Sequence, residues 1–533
     1  MRGMKFVLTG CLLVLASCAD EPGPQPRPNV LLIVADDLGY ADLGAFGGDI
    51  STPNIDALAQ EGVLFTGFHA GPSCGPTRSM LLTGNNNHVA GMGQQAASFD
   101  TPGYEGHLSD RIIPLPRLLQ EAGYHTYMVG KWHLGNALEH GPAAAGFERS
   151  FSLVPGAASH FGPLGFGQGT SVYRADGVEV SWPEGAYSTE LYTDQIIDFI
   201  DADRDDGRPF FAFASYTSPH WPLQVPDEYL DMYAGQYDQG YDQLREERFA
   251  SLKAADIIPQ SSALPPRNEA VTPWAQLTPA EQRSEAREME LYASMLTNLD
   301  DHVGRLVVHL KESGLYENTT IVFMSDNGAA AEDFYVDRRF SEFLQANYDN
   351  SYENMGHPGS FVSYGVPWAE AGSAPFSRHK TFSREGGLAA PMIISGAGVS
   401  GAGVIDRSYL NVMDIAPTVL ELAQAFYPTD GSVWPMLGES MVAYLGGSVD
   451  AVHADDYVTT LYHEGRAYVR QGKWKLVTLD RPFAESSFQL FDLEVDPGEA
   501  NDLSEVEPER FTSMLELWRE QREELGIIPL EER

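Results

Sequence analysis

Cys74 opens the run Cys74-Gly75-Pro76-Thr77-Arg78-Ser79-Met80-Leu81-Leu82-Thr83-Gly84 and is one of only three cysteines in 533 residues. The other two, Cys11 and Cys18, fall in an N-terminal stretch that reads as an export segment, so a mature exported chain keeps no pair for an internal disulfide. A solitary thiol beside a proline and an arginine is a liability in an oxidising compartment unless chemistry consumes it. If Cys74 opens a helix, as Pro76 near the first turn permits, Arg78 shares its helical face. The helix start would then also offer backbone N–H groups to an anion.

Asp36 and Asp37 follow one apolar run directly, and Asp326-Asn327-Gly328 close another. These residues offer only oxygen donors. Three carboxylates and an amide suit a hard divalent cation, Ca²⁺ or Mg²⁺, and lack the nitrogen or sulfur that favours zinc. Taken singly, Asp36-Asp37 reads equally as a helix cap and Asp326-Asn327 as a turn. Gathered at one edge without a cation, the carboxylates would repel one another. The candidate cations are Arg78, Lys131, His133, His220 and Lys380. Lys131 and His133 lie two apart just past a strand, and His220 sits between Pro219 and Pro222 beyond another. Lys380, five residues before Glu385-Gly386-Gly387, reads on its own as a solvated loop lysine.

The elements that must position these groups are short apolar runs alternating with helical patterns. Residues 29–35, 126–129, 210–215, 320–324 and 391–394 read as strands of a large, mostly parallel α/β sheet flanked by helices. The carboxyl edge of such a sheet is where ligands bind. Helices are expected over 112–122, 190–201 and 285–313, the last with Leu291, Met295, Asn298 and His302 on one face. Residues 226–284 read as an insertion over the pocket, and the aromatic-rich 329–379 as part of its roof. From about residue 450 the runs 457–461, 466–470, 473–477 and 488–492 suggest a small antiparallel meander. A closing helix carries Phe511, Met514, Leu515 and Trp518. The expected division is therefore a signal peptide (1–17), a Pro-rich tether (18–28), a catalytic domain (29–450) and a C-terminal sheet-and-helix unit (451–533).

A hydrophobic content of 43% supports a large core, and 20% charged residues argue against wholesale disorder. The net charge of −41 makes nucleic acid an improbable partner. It also means that a pocket for an anion must concentrate the few cations locally. At the N-terminus, Arg2 and Lys5 precede an apolar run too short to span a bilayer, ending Leu15-Ala16-Ser17-Cys18. That ending resembles a bacterial lipobox. The expectation is export to the periplasm or cell surface, with lipid anchoring at Cys18 as the sole contact with a membrane.

The pattern C-x-P-x-R-x-x-x-L-x-G from Cys74 to Gly84 resembles the type I, formylglycine-dependent sulfatases of the alkaline phosphatase superfamily, and within them the bacterial arylsulfatase branch. Supporting stretches are Asn29 to Gly39, Gly130 to Gly135, Ser325 to Gly328, Lys380 with Glu385 to Gly387, and Arg470 to Leu476. The resemblance covers roughly residues 29–505. It implies that a formylglycine-generating enzyme oxidises Cys74 to 3-oxoalanine, whose hydrate attacks sulfur and later expels sulfate by collapsing to the carbonyl. It implies one Ca²⁺, with Mg²⁺ as the alternative, held by Asp36, Asp37, Cys74, Asp326 and Asn327. It assigns Asp326 as acceptor of the nucleophile's proton, His220 as donor to the leaving oxygen and His133 as acceptor of the second hydroxyl's proton. Arg78 and Lys131 would hold the diol, with Lys131 and Lys380 on the sulfate oxygens. The implied substrate is an aryl or carbohydrate sulfate monoester, small molecule or glycan. The alternatives are a phosphonate monoester or phosphodiester hydrolase using the same site, and a non-catalytic lipoprotein that binds sulfated glycans.

Overall fold

The computed structural model describes residues 27–95, 98–167, 169–479 and 481–532. The signal segment, Cys18 and all of the tether except Arg27 and Pro28 lie outside the described residues. Among those described, no helix is long and apolar enough to cross a membrane.

Ten strands form the main sheet: β1 (Asn29–Ala35), β2 (Val63–Phe65), β3 (His125–Lys131), β4 (Arg149–Leu153), β5 (Tyr173–Ala175), β6 (Val178–Val180), β7 (Phe210–Ser215), β8 (Thr319–Ser325), β9 (Met392–Gly396) and β10 (Val404–Asp406). Their order is β10-β2-β9-β8-β1-β7-β3-β4-β5-β6. The centre, β8-β1-β7-β3-β4, is wholly parallel. The flanks are not: β9 runs antiparallel to both β8 and β2, and β5 and β6 form an antiparallel hairpin beside β4. Run 391–394 is therefore a strand of reversed direction, because direction is set by its non-local partners and not by its own residues.

The central strands read as unbroken apolar runs because both faces are covered. Leu31, Ile33, Ala212, Ala214, Ile321 and Phe323 point into one core. Their neighbours Val30, Leu32, Val34, Phe211, Phe213, Val322 and Met324 point into the other. The principal helices are α1 (Pro53–Glu61), α2 (Cys74–Thr83), α3 (Leu115–Glu121), α4 (Ser188–Asp203), α5 (Tyr241–Ala254), α6 (Pro279–Glu312), α7 (Gly365–Gly372), α8 (Ile415–Leu422) and α9 (Pro508–Glu524). Helices α4 and α6 cover the first face, while α2, α3 and α8 cover the second. Helix α6 begins six residues before the expected 285, at a capping box in which Thr278 and Glu281 satisfy each other's backbone N–H across Pro279.

Strands β11 (Val458–His463), β12 (Arg466–Gln471), β13 (Trp474–Thr478) and β14 (Phe488–Asp492) form a separate antiparallel sheet in sequential order. Met514 and Trp518 of α9 close its core. The segment 226–284 corrects one expectation. It is built into the main core, where Tyr233, Tyr237, Tyr241 and Trp274 are buried, and α5 packs on α7. By contrast Phe334, Tyr335, Phe340, Phe343, Tyr348 and Phe361 cluster with Trp221, the neighbour of His220.

Candidate active site

The carboxyl ends of β1, β3, β7 and β8 deliver Asp36, Asp37, Lys131, His220, Asp326 and Asn327 to one buried region, where Cys74 and Arg78 of α2 and Lys380 of a later turn join them. Asp36 and Asp37 leave β1; Asp37 has φ 66°, and its N–H bonds Asp326 Oδ1 at 3.2 Å. Beyond β8, Asn327 Nδ2 donates to Asp37 Oδ1 at 2.7 Å. Helix α2 is buried along its whole length and starts at Cys74. Cys74 Sγ lies 3.5 Å from Asp36 Oδ1 and 3.7 Å from Asp37 Oδ1. The N-cap residue Ser73 makes no capping bond itself. Gln95 Oε1 supplies it, accepting from Gly75 N–H at 3.2 Å and from Ser73 Oγ at 2.5 Å.

Arg78 sits one turn on from Cys74. Its Nε and Nη2 grip Asp326 Oδ2 at 3.0 and 2.8 Å, while Nη1 bonds the Lys131 carbonyl at 2.9 Å and also Ser215 Oγ. Lys131 Nζ donates to both oxygens of Asp36, at 2.9 and 2.7 Å. Lys380 Nζ donates to Asp37 Oδ2 at 2.8 Å, with Glu332 Oε1 3.8 Å away. His220 lies between the cis peptides Ser218–Pro219 and Trp221–Pro222. Its Nδ1 is 2.6 Å from the Trp221 carbonyl, an obligate acceptor, so Nδ1 carries the proton and Nε2 faces Asp37 Oδ2 at 3.4 Å. His133 (φ 59°) is partly buried beside Lys131 and Arg78, and its Nδ1 has no hydrogen-bond partner among the described residues. With His107, His140 and Pro155 it lines a cavity of about 390 Å³.

Three carboxylates thus meet three fixed cations in a dry setting. Burial pushes the Cys74 thiol well above its usual range, with Asp326 adding to the effect. Burial also works to raise Asp37, but Lys380, His220 and Lys131 outweigh it and hold that carboxyl below the ordinary range. For Asp326, burial and then Asp36 prevail over Arg78, and the net shift is upward. Burial holds His220 and His133 well below the usual imidazole value. Against burial, Asp36 and Asp37 keep Lys131 and Lys380 charged.

The donor set fits a hard cation. Among the described residues Asn327 Oδ1 is buried with no hydrogen-bond partner, an orphan that a cation would satisfy. Ligand atoms of Asp36, Asp37, Cys74 and His220 all lie within 4.8 Å of one another. His220 therefore adds a nitrogen beside the oxygens, which spacing along the chain did not reveal. Sequence reasoning also missed Ser215, Gln95 and Glu332. Ser215 was accessible as the last residue of β7, whereas Gln95 and Glu332 sit in irregular loops and carry no periodic signal.

A parallel sheet covered on both faces, with a buried residue at a helix start facing carboxylates and cations, makes this an α/β protein with a closed, highly charged site at the carboxyl ends of its strands. The sulfatase family profile matches residues 28–425, and the chain belongs to the sulfatase family. It is 42% identical over 452 residues to the arylsulfatase of Klebsiella aerogenes, covering 82% of this chain and 96% of that one. It is 38% identical over 535 residues to an uncharacterised sulfatase of Schizosaccharomyces pombe, covering 96% of each. The crystal structure of Ps i-CgsB in complex with k-i-k-neocarrahexaose aligns with a TM-score of 0.66 at 25% identity, covering 93% of this chain and 92% of that chain. The protein is accordingly a sulfatase-family enzyme.

Proposed function

We propose that the protein hydrolyses sulfate monoesters, aryl or carbohydrate, through a formylglycine made from Cys74 and one hard divalent cation, Ca²⁺ or Mg²⁺. The observation that carries this reading is the state of Cys74. It is 1% exposed, and burial and Asp326 hold it protonated. A thiol so placed is a poor nucleophile, and at a helix start against Asp36 and Asp37 it makes chemical sense as the precursor of something else. The hydrated aldehyde supplies one hydroxyl to attack sulfur and a second whose collapse to the carbonyl frees sulfate. A cation held by Asp36, Asp37, Asp326 and Asn327 supplies charge neutralisation and a lowered hydroxyl pKa.

The chain's own residues do the remainder. Asp326, its carboxyl raised by burial and Asp36, accepts the proton of the attacking hydroxyl. Arg78 is fixed by Asp326, Ser215 and the Lys131 carbonyl, so its guanidinium pays no reorganisation when charge shifts beside it. Lys131 and Lys380 stand charged and buried where the sulfate oxygens gather negative charge. His220 donates to the leaving oxygen from Nε2 as the imidazolium, with Nδ1–H staying on the Trp221 carbonyl and Asp37 Oδ2 at 3.4 Å favouring the charged ring. Loss of the Nε2 proton leaves the neutral Nδ1–H tautomer. His133, kept neutral by burial and Lys131, accepts the proton of the second hydroxyl.

The relatives support both substrate classes: one is an arylsulfatase, and another solved neighbour is bound to k-i-k-neocarrahexaose. We place the mature enzyme outside the cytoplasm, anchored through Cys18, on the strength of residues 1–18 alone. The test is mass spectrometry of the Cys74 peptide from protein co-produced with a formylglycine-generating enzyme. A loss of about 18 Da relative to cysteine is expected, the change from CH₂–SH to CHO that covalent catalysis here requires. Unmodified cysteine in fully active protein, or full activity in Cys74→Ala, would end this reading.

A further inference from the structure

Arg245 and Arg248 both lie on the buried side of α5, yet their surroundings differ. Arg248 is neutralised by Asp42 at 2.5 Å and Asp49 at 2.7 Å. Arg245 is only 9% exposed, and its Nη2 donates to the Pro265 carbonyl at 2.9 Å. Among the described residues it forms no ion pair. Burial depresses its pKa, only partly opposed by Glu370. A buried guanidinium with no direct ion pair is costly unless something else supplies more negative charge at close range.

Arg245 lines a cavity of about 490 Å³ between α5, the 265–270 turn and the loop after Phe376. Three more arginines line it: Arg267, Arg378 and Arg384. Arg267 pairs with Asp242. Arg378 adopts φ 70°, rests over the Phe382 ring and has no ion pair among the described residues. Arg384 is 6% exposed and bonds two neutral acceptors, the Glu499 carbonyl and Gln489 Oε1. The acids at the cavity do not balance them. Glu499 is occupied by Lys475 at 3.0 Å and the Glu385 N–H at 2.7 Å. Glu370, 5% exposed, is the one buried carboxylate set against Arg245, Arg378 and Arg267, and it also accepts from Asn268 N–H; Glu269 is exposed. Gathering four guanidiniums here is unusual in a chain with 34 basic against 75 acidic residues. None of the proposed catalytic or metal-binding residues lines this cavity.

We propose that the cavity is a second oxyanion site, which takes a sulfate group either as free sulfate or as a sulfate ester on a sugar. Guanidinium forks match the oxygens of such groups, and a volume in the ~300–1,000 Å³ range of small-ligand sites leaves room for a sugar ring. Sulfate is named over other oxyanions because the reaction proposed above releases it, and only that choice rests on the earlier reading.

Crystals of the full chain soaked in sodium selenate test the site directly through the anomalous signal. Selenate within hydrogen-bonding distance of Arg245 or Arg378 is the expected result. An empty cavity in crystals whose catalytic site contains selenate would overturn the proposal. In solution, calorimetric titration of sodium sulfate into Cys74→Ser protein at constant ionic strength should report two sites. Among the described residues Arg245→Met deletes a charge that has no ion pair and Arg378→Ala one that has no hydrogen bond, so both variants should fold. Each should weaken one of the two sites about tenfold or more; unchanged binding in both variants sinks the idea. Competition by N-acetylglucosamine 6-sulfate well above that of equimolar sulfate identifies a glycan ester as the ligand, and equal or weaker competition identifies the free ion. Turnover of an aryl sulfate by the two arginine variants, expected to persist, reports the catalytic reading separately.

Discussion

Lys475 of β13 donates to Glu385 Oε1 at 2.6 Å, and both side chains are buried. The same carboxylate takes His69 Nε2 on its other oxygen at 2.6 Å, and Lys475 also reaches Glu499 Oε1 at 3.0 Å. Glu385 opens the short helix Glu385–Leu388, five residues after Lys380, so this network docks the C-terminal sheet beside the segment that carries Lys380.

Lys475→Met should therefore destabilise the protein on the order of 3–5 kcal/mol, because it strands two buried carboxylates without their shared cation. Urea unfolding reads this as a lowered midpoint. Adding Glu385→Gln should restore part of the loss, and an unchanged midpoint in the single variant would show that the network contributes nothing.

Arg78→Lys should cost roughly 10²–10³ in kcat, although the charge is kept, since an ammonium cannot reproduce the fork that spans Asp326, Ser215 and the Lys131 carbonyl. Steady-state kinetics on an aryl sulfate measure it. A variant within a factor of about three of wild type would show that the fork is not needed.

His220→Gln separates proton donation from mere packing. If Nε2 protonates the leaving oxygen, sugar and alkyl sulfates should lose about 10²–10⁴ in rate, whereas nitrophenyl sulfate, whose phenolate leaves unaided, should lose far less. Equal losses on both substrates would assign His220 a structural part.

The central strands and the residues at their ends were legible because burial on both faces writes itself as apolar runs, and polar residues after them stand out. Helix α5 was not. Its inward positions include Tyr241, Leu244 and Leu252, but also Arg245 and Arg248. Arginines buried by distant partners such as Asp42 and Asp49 break the apolar pattern, and those partners cannot be read from local sequence. Gln95 was hidden for a related reason: it caps α2 from a loop about twenty residues away, where no spacing rule applies. The reversal of β9 depends on pairing with β2 and β8, again a property of the assembled sheet.

Chelation should inactivate the enzyme, and Ca²⁺ or Mg²⁺ should restore it, given the oxygen-rich donors and the orphaned Asn327 Oδ1. The restoring ion should also raise the melting temperature, since at a hundredfold excess over Kd it contributes about 2.7 kcal/mol. Asn327→Ala should require more ion for the same recovery. Full activity after exhaustive dialysis against chelator would remove the cation from the proposal.

His160 sets an acid limit on the site. Its Nε2 is 3.0 Å from the carbonyl of His220 and its Nδ1 2.7 Å from Ser188 Oγ, and burial lowers its pKa from 6.5 to about 4. The folded state therefore resists a proton that the unfolded chain takes up below pH 6.5. Stability is fully present above that value and is lost progressively as pH falls to about 4, where the folded form protonates as well. The full loss from this residue is about 3 kcal/mol. Buried His379, also lowered to about 4, acts in the same direction. His160→Gln should flatten the decline in unfolding free energy between these limits while lowering stability at neutral pH. A profile as steep as that of wild type would show that His160 is not the group whose protonation loosens the His220 loop.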